Sequence, residues 1–173
     1  SRFGRVIISN PGGDRIGRRP VNLHVDAMRA LGAEIDYRDG YYFAKSSGRL
    51  RGADIDFPHV TVMGTENAAL AAVLAKGSTR IHPAAQEPEV DDLITLLNGM
   101  GAQIQRTAPE TIEIQGVDAL HGASHRVMPD RIEAGTFATA AAVIGGSIEI
   151  TEIQPAHLGA FLQILEQMGV EHS

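Results

Sequence analysis

Apolar and polar positions alternate along this chain with two different periods. Val21, Val25, Met28 and Leu31 recur at helical spacing after Pro20, which suits the first position of a helix, and Gly32 is placed to end it. Short strands are predicted over 33–38 and 41–45, joined by Asp39-Gly40, a dipeptide that favours a two-residue hairpin turn. A strand over 59–63, a helix over 66–75, a stop at Gly77 and a strand over 78–82 follow. The pattern then starts again: a helix from Glu89 to about Gly99, strands over 102–106, 111–115 and 125–128, a helix over 132–144 and a strand over 147–152. A last helix is predicted over 157–168.

The recurrence is visible in the residues themselves. Met28-Arg29-Ala30-Leu31-Gly32-Ala33 returns as Leu97-Asn98-Gly99-Met100-Gly101-Ala102 and again as Leu165-Glu166-Gln167-Met168-Gly169-Val170. Leu50-Arg51-Gly52-Ala53 returns as Leu120-His121-Gly122-Ala123, and Gly64-Thr65 as Gly135-Thr136. The period is about 70 residues, a small subdomain and not a solenoid turn. Two helices, over 66–75 and 132–144, carry alanine nearly all round. Such helices are expected to be buried between layers, with the amphipathic helices outside. The fold class expected is α/β (α+β), built of repeated helix-and-strand units. A final unit that stops after its helix makes an internal piece of a longer protein the expectation.

Composition narrows the classes. With 43% hydrophobic and 21% charged residues the chain is of the globular kind, and no apolar run approaches membrane-spanning length. A net charge of −6 argues against a general nucleic-acid binder. Zero cysteines exclude disulfides, thiolate metal sites and thiol catalysis, and fit a cytoplasmic location. The charge is uneven: residues 1–51 hold ten of the fifteen Lys and Arg, for a net of +5 against −11 in the rest. A local anionic ligand and a solvated basic face both fit that asymmetry.

The candidate chemistry lies in the loop from Asn10 to Pro20. Its three glycines let backbone approach a ligand, it feeds into a helix N-terminus, and Arg15, Arg18 and Arg19 carry forked donors suited to phosphate. A flexible surface loop is the alternative, and no Walker A lysine follows. Asp14 is either an ionised carboxylate in a turn or, in a closed site, a proton donor. Asp130 with Glu133 reads as a capping box. His121 and His125 lie in a strand-loop region without a carboxylate cluster, so no metal site is expected.

The string Pro11-Gly12-Gly13, Ile16-Gly17, Arg19-Pro20-Val21, Leu23-His24 resembles the active-site loop of the UDP-N-acetylglucosamine 1-carboxyvinyltransferases, a family of enolpyruvyl transferases. Gly64-Thr65-Glu66-Asn67, Glu87-Pro88-Glu89 and Pro129-Asp130-Arg131-Ile132-Glu133 with Gly135-Thr136 extend the resemblance over essentially the whole chain. It implies an enolpyruvyl transferase-like architecture, an inside-out α/β barrel of repeated units, incomplete here. Residues 1–128 would be the later part of a first domain and 129–173 the start of a second. The implied reaction moves the enolpyruvyl group of phosphoenolpyruvate to the 3-hydroxyl of UDP-N-acetylglucosamine and releases phosphate, with no cofactor, nucleic acid or membrane involved.

By the same resemblance Asp14 would be the proton donor and Arg19 would contact substrate phosphate. Pro20, Val21, Asn22 and Leu23 would wall the uracil ring, and Thr61, Val62 and Met63 would meet the diphosphate. The chain departs from the family in four places: Asp14 stands where cysteine is common, His59 where lysine is, Asn22 where aspartate is, and Ala134 where threonine is. The family's upstream Lys-Asn pair, its phosphoenolpyruvate-binding arginines and a catalytic aspartate have no match in the chain, so turnover by these residues alone is not expected. A shikimate 3-phosphate enzyme of the same fold and a non-catalytic binding domain are the alternatives.

Overall fold

Residues 3–10, 12, 17 and 20–172 are described by a computed structural model. The chain forms two compact units, the first ending at His125 and the second beginning at Arg126.

In the first unit, helix α1 (Asn22–Ala30) buries Leu23 and Ala27, and Leu31 follows them into the core. Its first turn differs from the expectation for Pro20. Val21 is the N-cap, with non-helical dihedrals, and its carbonyl accepts from the Val25 N–H at 3.0 Å. Pro20 therefore stands one residue outside the helix.

The helix ends at Gly32, whose φ of +94° a side chain would resist. The Gly32 N–H donates to Arg29 O (2.9 Å) and the Ala33 N–H to Met28 O (3.0 Å), the paired bonds of a Schellman motif. Strands β1 (Arg5–Ser9), β2 (Glu34–Arg38) and β3 (Tyr41–Lys45) form a sheet of order β1-β3-β2, antiparallel throughout. Arg38 pairs with Tyr41, so Asp39 (φ +53°) and Gly40 (φ +81°) make the two-residue turn that the dipeptide predicts.

The second repeat reproduces these parts. Helix α3 (Pro88–Gly99) ends at Gly101, φ +96°, with Gly101 N–H on Asn98 O and Ala102 N–H on Leu97 O. Its hairpin is β6 (Gln103–Ala108) and β7 (Thr111–Gln115). Even the ties between helix and hairpin correspond. Arg29 donates to Ile35 O at 2.9 Å, and Asn98 donates to Ile104 O at 2.9 Å while accepting from the Ile104 N–H. Arg51 N–H donates to Leu31 O, and His121 N–H to Met100 O.

The repeats interlock through a shared sheet. Strand β4 (Asp54–Asp56) runs parallel to β5 (Ser78–His82), and β5 pairs antiparallel with β7, giving the order β4-β5-β7-β6. Ile55, Ile81, Ile112, Ile114 and Ile104 turn one face of this sheet into the core. Against it lies helix α2 (Val62–Ala72), whose Ala68, Ala69 and Ala72 are fully buried, and which also packs on α1 and α3. Small side chains let α2 sit this close to sheet and helices alike. Between α1 and the β1-β3-β2 sheet, by contrast, an apolar cavity of about 440 Å³ stays open, lined by Val6, Ile8, Val25, Met28, Ile35 and Tyr42 among others.

The second unit contains α4 (Arg131–Ile144), a 3-10 turn (Pro155–Leu158) and α5 (Gly159–Gln167). Gly169 closes α5 as Gly32 closes α1, with Gly169 N–H on Glu166 O and Val170 N–H on Leu165 O. Asp130 caps α4, accepting from the N–H groups of Ile132 (2.8 Å) and Glu133 (3.0 Å).

Three expectations fail. Residues 59–63 are not a strand: α2 begins at Val62 and the strand of this stretch is β4. Residues 125–128 and 147–152 form no ladder, because no strand among the described residues lies alongside to accept their backbone bonds. The alanine-rich α4 is not buried all round; only its Ala134 is, since a 3-10 turn and one short helix cannot cover more of it. Among the described residues no helix is long and apolar enough to cross a membrane.

Candidate functional site

The glycine loop bears most of the predicted chemistry, and most of it, including Asp14, Arg15, Arg18 and Arg19, lies outside the described residues. What is described is where the loop arrives. Pro20 and Asn22 are exposed, Val21 is half-buried, and the Leu23 side chain packs into the core between α1 and its neighbours. Leu23 can meet a ligand only through its backbone. Val21 and His24 line the same cavity as Asn67 of α2, which ties the start of α1 to the first half of α2.

The second group of predicted residues, Thr61, Val62 and Met63, forms the first turn of α2. Thr61 is an N-cap in extended conformation, and its Oγ1 accepts from the Gly64 N–H at 3.2 Å. The cap depends on glycine at 64, because a Cβ there would collide with the Thr61 side chain. Thr65 N–H bonds back to Thr61 O at 3.0 Å. Helix geometry leaves the N–H groups of Val62 and Met63 with no acceptor inside the helix. Met63 is exposed and Thr61 and Val62 are half-buried, so this turn offers two backbone donors at the positive end of an 11-residue helix. That arrangement suits an anion such as a phosphate.

The flank of the turn is acidic. Glu66, on the next turn, is held above the ordinary carboxylate value by partial burial first, and then by the nearby charges of Glu89 and Glu87 at the start of α3. One Glu87 carboxylate oxygen is buried without a hydrogen-bond partner. Glu66, Glu87 and Glu89 stand in strings that match the family, but nothing in the spacing of 66 against 87 and 89 tells that they meet. The α2–α3 packing brings them together.

Other candidates have structural roles. His125 Nε2 lies 3.0 Å from Asp92 Oδ1, both partly buried, which pins the 117–125 segment to α3. His121 Nδ1 sits 3.0 Å from Gly122 O. Among the described residues no group of three His, Asp or Glu side chains could hold a metal ion. The basic residues of the first repeat are partly spent on local pairs, Arg29 with Asp26 and Lys45 with Glu34, and Arg38 lies over the Phe43 ring.

Comparison with known proteins agrees with this architecture. The family model described as EPSP synthase (3-phosphoshikimate 1-carboxyvinyltransferase) matches residues 1–173. A protein of Coxiella burnetii (strain RSA 493 / Nine Mile phase I) named UDP-N-acetylglucosamine 1-carboxyvinyltransferase is 52% identical over 169 residues, 98% of this chain and 39% of the relative. One of the same name from Ruegeria pomeroyi is 48% identical over 171 residues, 99% of this chain and 41% of the relative. The chain thus spans about two fifths of the length of the curated relatives it matches.

Among solved structures, the enolpyruvyl transferase NikO from Streptomyces tendae superposes with a TM-score of 0.78 at 22% identity, covering 98% of this chain and 42% of NikO. An EPSP synthase from Acinetobacter baumannii gives 0.68 at 24%, covering 95% and 37%. These two likenesses concern the fold. With a family model matched from end to end and that fold beneath it, the chain belongs to the EPSP synthase (3-phosphoshikimate 1-carboxyvinyltransferase) family.

Proposed function

We propose that the chain is part of an enzyme that transfers the enolpyruvyl group of phosphoenolpyruvate to the 3-hydroxyl of UDP-N-acetylglucosamine, in cytoplasmic peptidoglycan synthesis. The observation that carries this is identity of about one half, over 98% or more of the chain, to relatives bearing that enzyme's name. The first turn of α2 supports it, since two free N–H groups at a helix N-terminus suit the substrate's diphosphate. In this reading residues 1–128 belong to one domain and 129–173 to the next.

The chemistry divides into addition and elimination. The sugar hydroxyl adds to C2 of phosphoenolpyruvate and gives up its proton, while C3 takes one, leaving a tetrahedral adduct. Loss of a proton from C3 and of phosphate from C2 then restores the double bond. Asp14 is the residue assigned to donate the proton to C3, as general acid. Arg19 holds substrate phosphate, Pro20, Val21, Asn22 and Leu23 wall the uracil, and Thr61, Val62 and Met63 take the diphosphate. With aspartate at 14 there is no thiol for the epoxide fosfomycin to alkylate.

Titration of the isotope-labelled chain with UDP-N-acetylglucosamine tests the reading. Amide shifts should concentrate at residues 21–23 and 61–65, and shikimate 3-phosphate should produce none. The converse preference would favour the shikimate branch, after which the matched family model is described. Phosphate release by this chain alone is expected to stay at background, and active protein carrying Asp14 should keep its activity after fosfomycin treatment. Irreversible inactivation would remove Asp14 from its assigned role.

A further inference from the structure

The first turn of α2 is held from behind by a chain of hydrogen bonds. Thr65 is fully buried. Its hydroxyl donates to Thr61 O at 2.7 Å and accepts from the Ala85 N–H at 3.1 Å, so it is bonded in both roles. Ala85 belongs to the loop between β5 and α3. On its other side the Ala85 carbonyl accepts from Arg106 Nη2 at 2.9 Å. Arg106 is fixed in turn: Nε and Nη2 reach Asp91 Oδ1 at 3.0 and 2.7 Å, and Nη1 reaches Pro109 O at 2.8 Å. The chain from Thr61 to Arg106 thus links α2, the loop, α3 and β6.

We propose that Thr65 and Arg106 are positioning residues: they lock the first turn of α2 onto the loop before α3, so that the Val62 and Met63 N–H groups keep the geometry that takes the diphosphate of a nucleotide sugar. This rests on the reading that Thr61, Val62 and Met63 form the diphosphate subsite. Thr65 has no exposed surface and acts only through its bonds to Thr61 O and to the Ala85 N–H. A phosphate bound by backbone donors depends on their direction, since hydrogen bonds weaken steeply as they stretch or bend. One side chain bonded to both the turn and the loop resists that shift; two helices packed through apolar atoms alone could slide.

The test is UDP-N-acetylglucosamine affinity, read from the Val62–Thr65 amide shifts of the labelled chain, in four variants. Thr65→Val keeps the shape and loses both bonds; Thr65→Ser keeps both; Arg106→Gln breaks the far end. Ile112→Val lowers stability in the sheet core and leaves the chain of bonds intact. Thr65→Val and Arg106→Gln should bind about tenfold more weakly or worse, while Thr65→Ser and Ile112→Val stay within about twofold of the parent. If Thr65→Val does not fold, Arg106→Gln carries the test alone. Parent-like affinity in Thr65→Val or Arg106→Gln, or an equal loss in Ile112→Val, overturns the positioning role and leaves the subsite standing. A parent chain whose 61–65 amides do not respond overturns the subsite, and the positioning role with it.

Discussion

Arg49 reaches Asp118, 69 residues along the chain, and on the way its guanidinium closes the end of α2. It donates to Leu74 O at 2.8 Å, Ala75 O at 3.1 Å and Val117 O at 2.7 Å. The two partners differ greatly in setting. Arg49 is about one third exposed, whereas the Asp118 side chain is 98% exposed. An ion pair with one partner in water contributes at most about 1 kcal/mol, while carbonyls that lose a charged donor cost about 1.5–3 kcal/mol. Arg49→Ala is therefore expected to lose about 2–3 kcal/mol in chemical denaturation, and Asp118→Ala under about 0.5 kcal/mol. Equal losses would show that the ion pair, and not the carbonyl contacts, carries the stability.

Thr79 is 2% exposed on β5, on the face that also presents Ile81, and its hydroxyl has no hydrogen-bond partner. A buried hydroxyl without a partner costs about 1–3 kcal/mol. Valine keeps the shape and the strand preference and removes the polar atom. Thr79→Val should raise stability by about 1 kcal/mol, and a higher denaturation midpoint with an unchanged slope is the readout. A lower midpoint would mean that the hydroxyl has a partner after all.

The repeats, the hairpin turn at Asp39-Gly40 and the helix ends at Gly32, Gly101 and Gly169 were legible in the sequence because each is decided within a few residues. The stretch 59–63 misled because His-Val-Thr-Val-Met alternates like a strand, while Thr61 acts as a cap whose partner, Gly64, is three residues on. The roles of Arg49, Thr65 and Arg106 could not be read, since the partners that define them lie 20 to 69 residues away along the chain. The family resemblance picked out Thr61, Val62 and Met63. That they form one helix turn flanked by Glu66 and Glu87 emerged only from packing.

Glu66 gives the molecule a pH dependence whose sign follows from its surroundings. Burial and the charges of Glu89 and Glu87 raise its folded value above the ordinary 4.5. The folded state thus holds the proton to higher pH than the unfolded chain does. Its contribution to stability is full below about 4.5 and is lost as pH rises through the raised value. Glu66→Gln removes the charge that burial and neighbours oppose. The stability of Glu66→Gln relative to the parent should therefore be greater at pH 7.5 than at pH 4, measured by thermal unfolding at both. The same difference at both values would mean Glu66 titrates alike folded and unfolded.

The two alanine-rich helices make opposite predictions from similar sequence. Ala72 of α2 is fully buried against sheet and neighbouring helices, whereas Ala140 of α4 is exposed. Leucine adds three carbons to either position. At 72 there is no space, and overpacking a filled core costs about 1–3 kcal/mol, more where backbone must move. At 140 the added carbons lie on a surface, where substitutions change stability by under about 0.5 kcal/mol, and leucine is nearly as good a helix former as alanine. Ala72→Leu should thus unfold at clearly lower denaturant than the parent, and Ala140→Leu at the same concentration. A large loss at Ala140→Leu would mean that α4 is covered in the folded chain, and that its resemblance to α2 extends from sequence to burial.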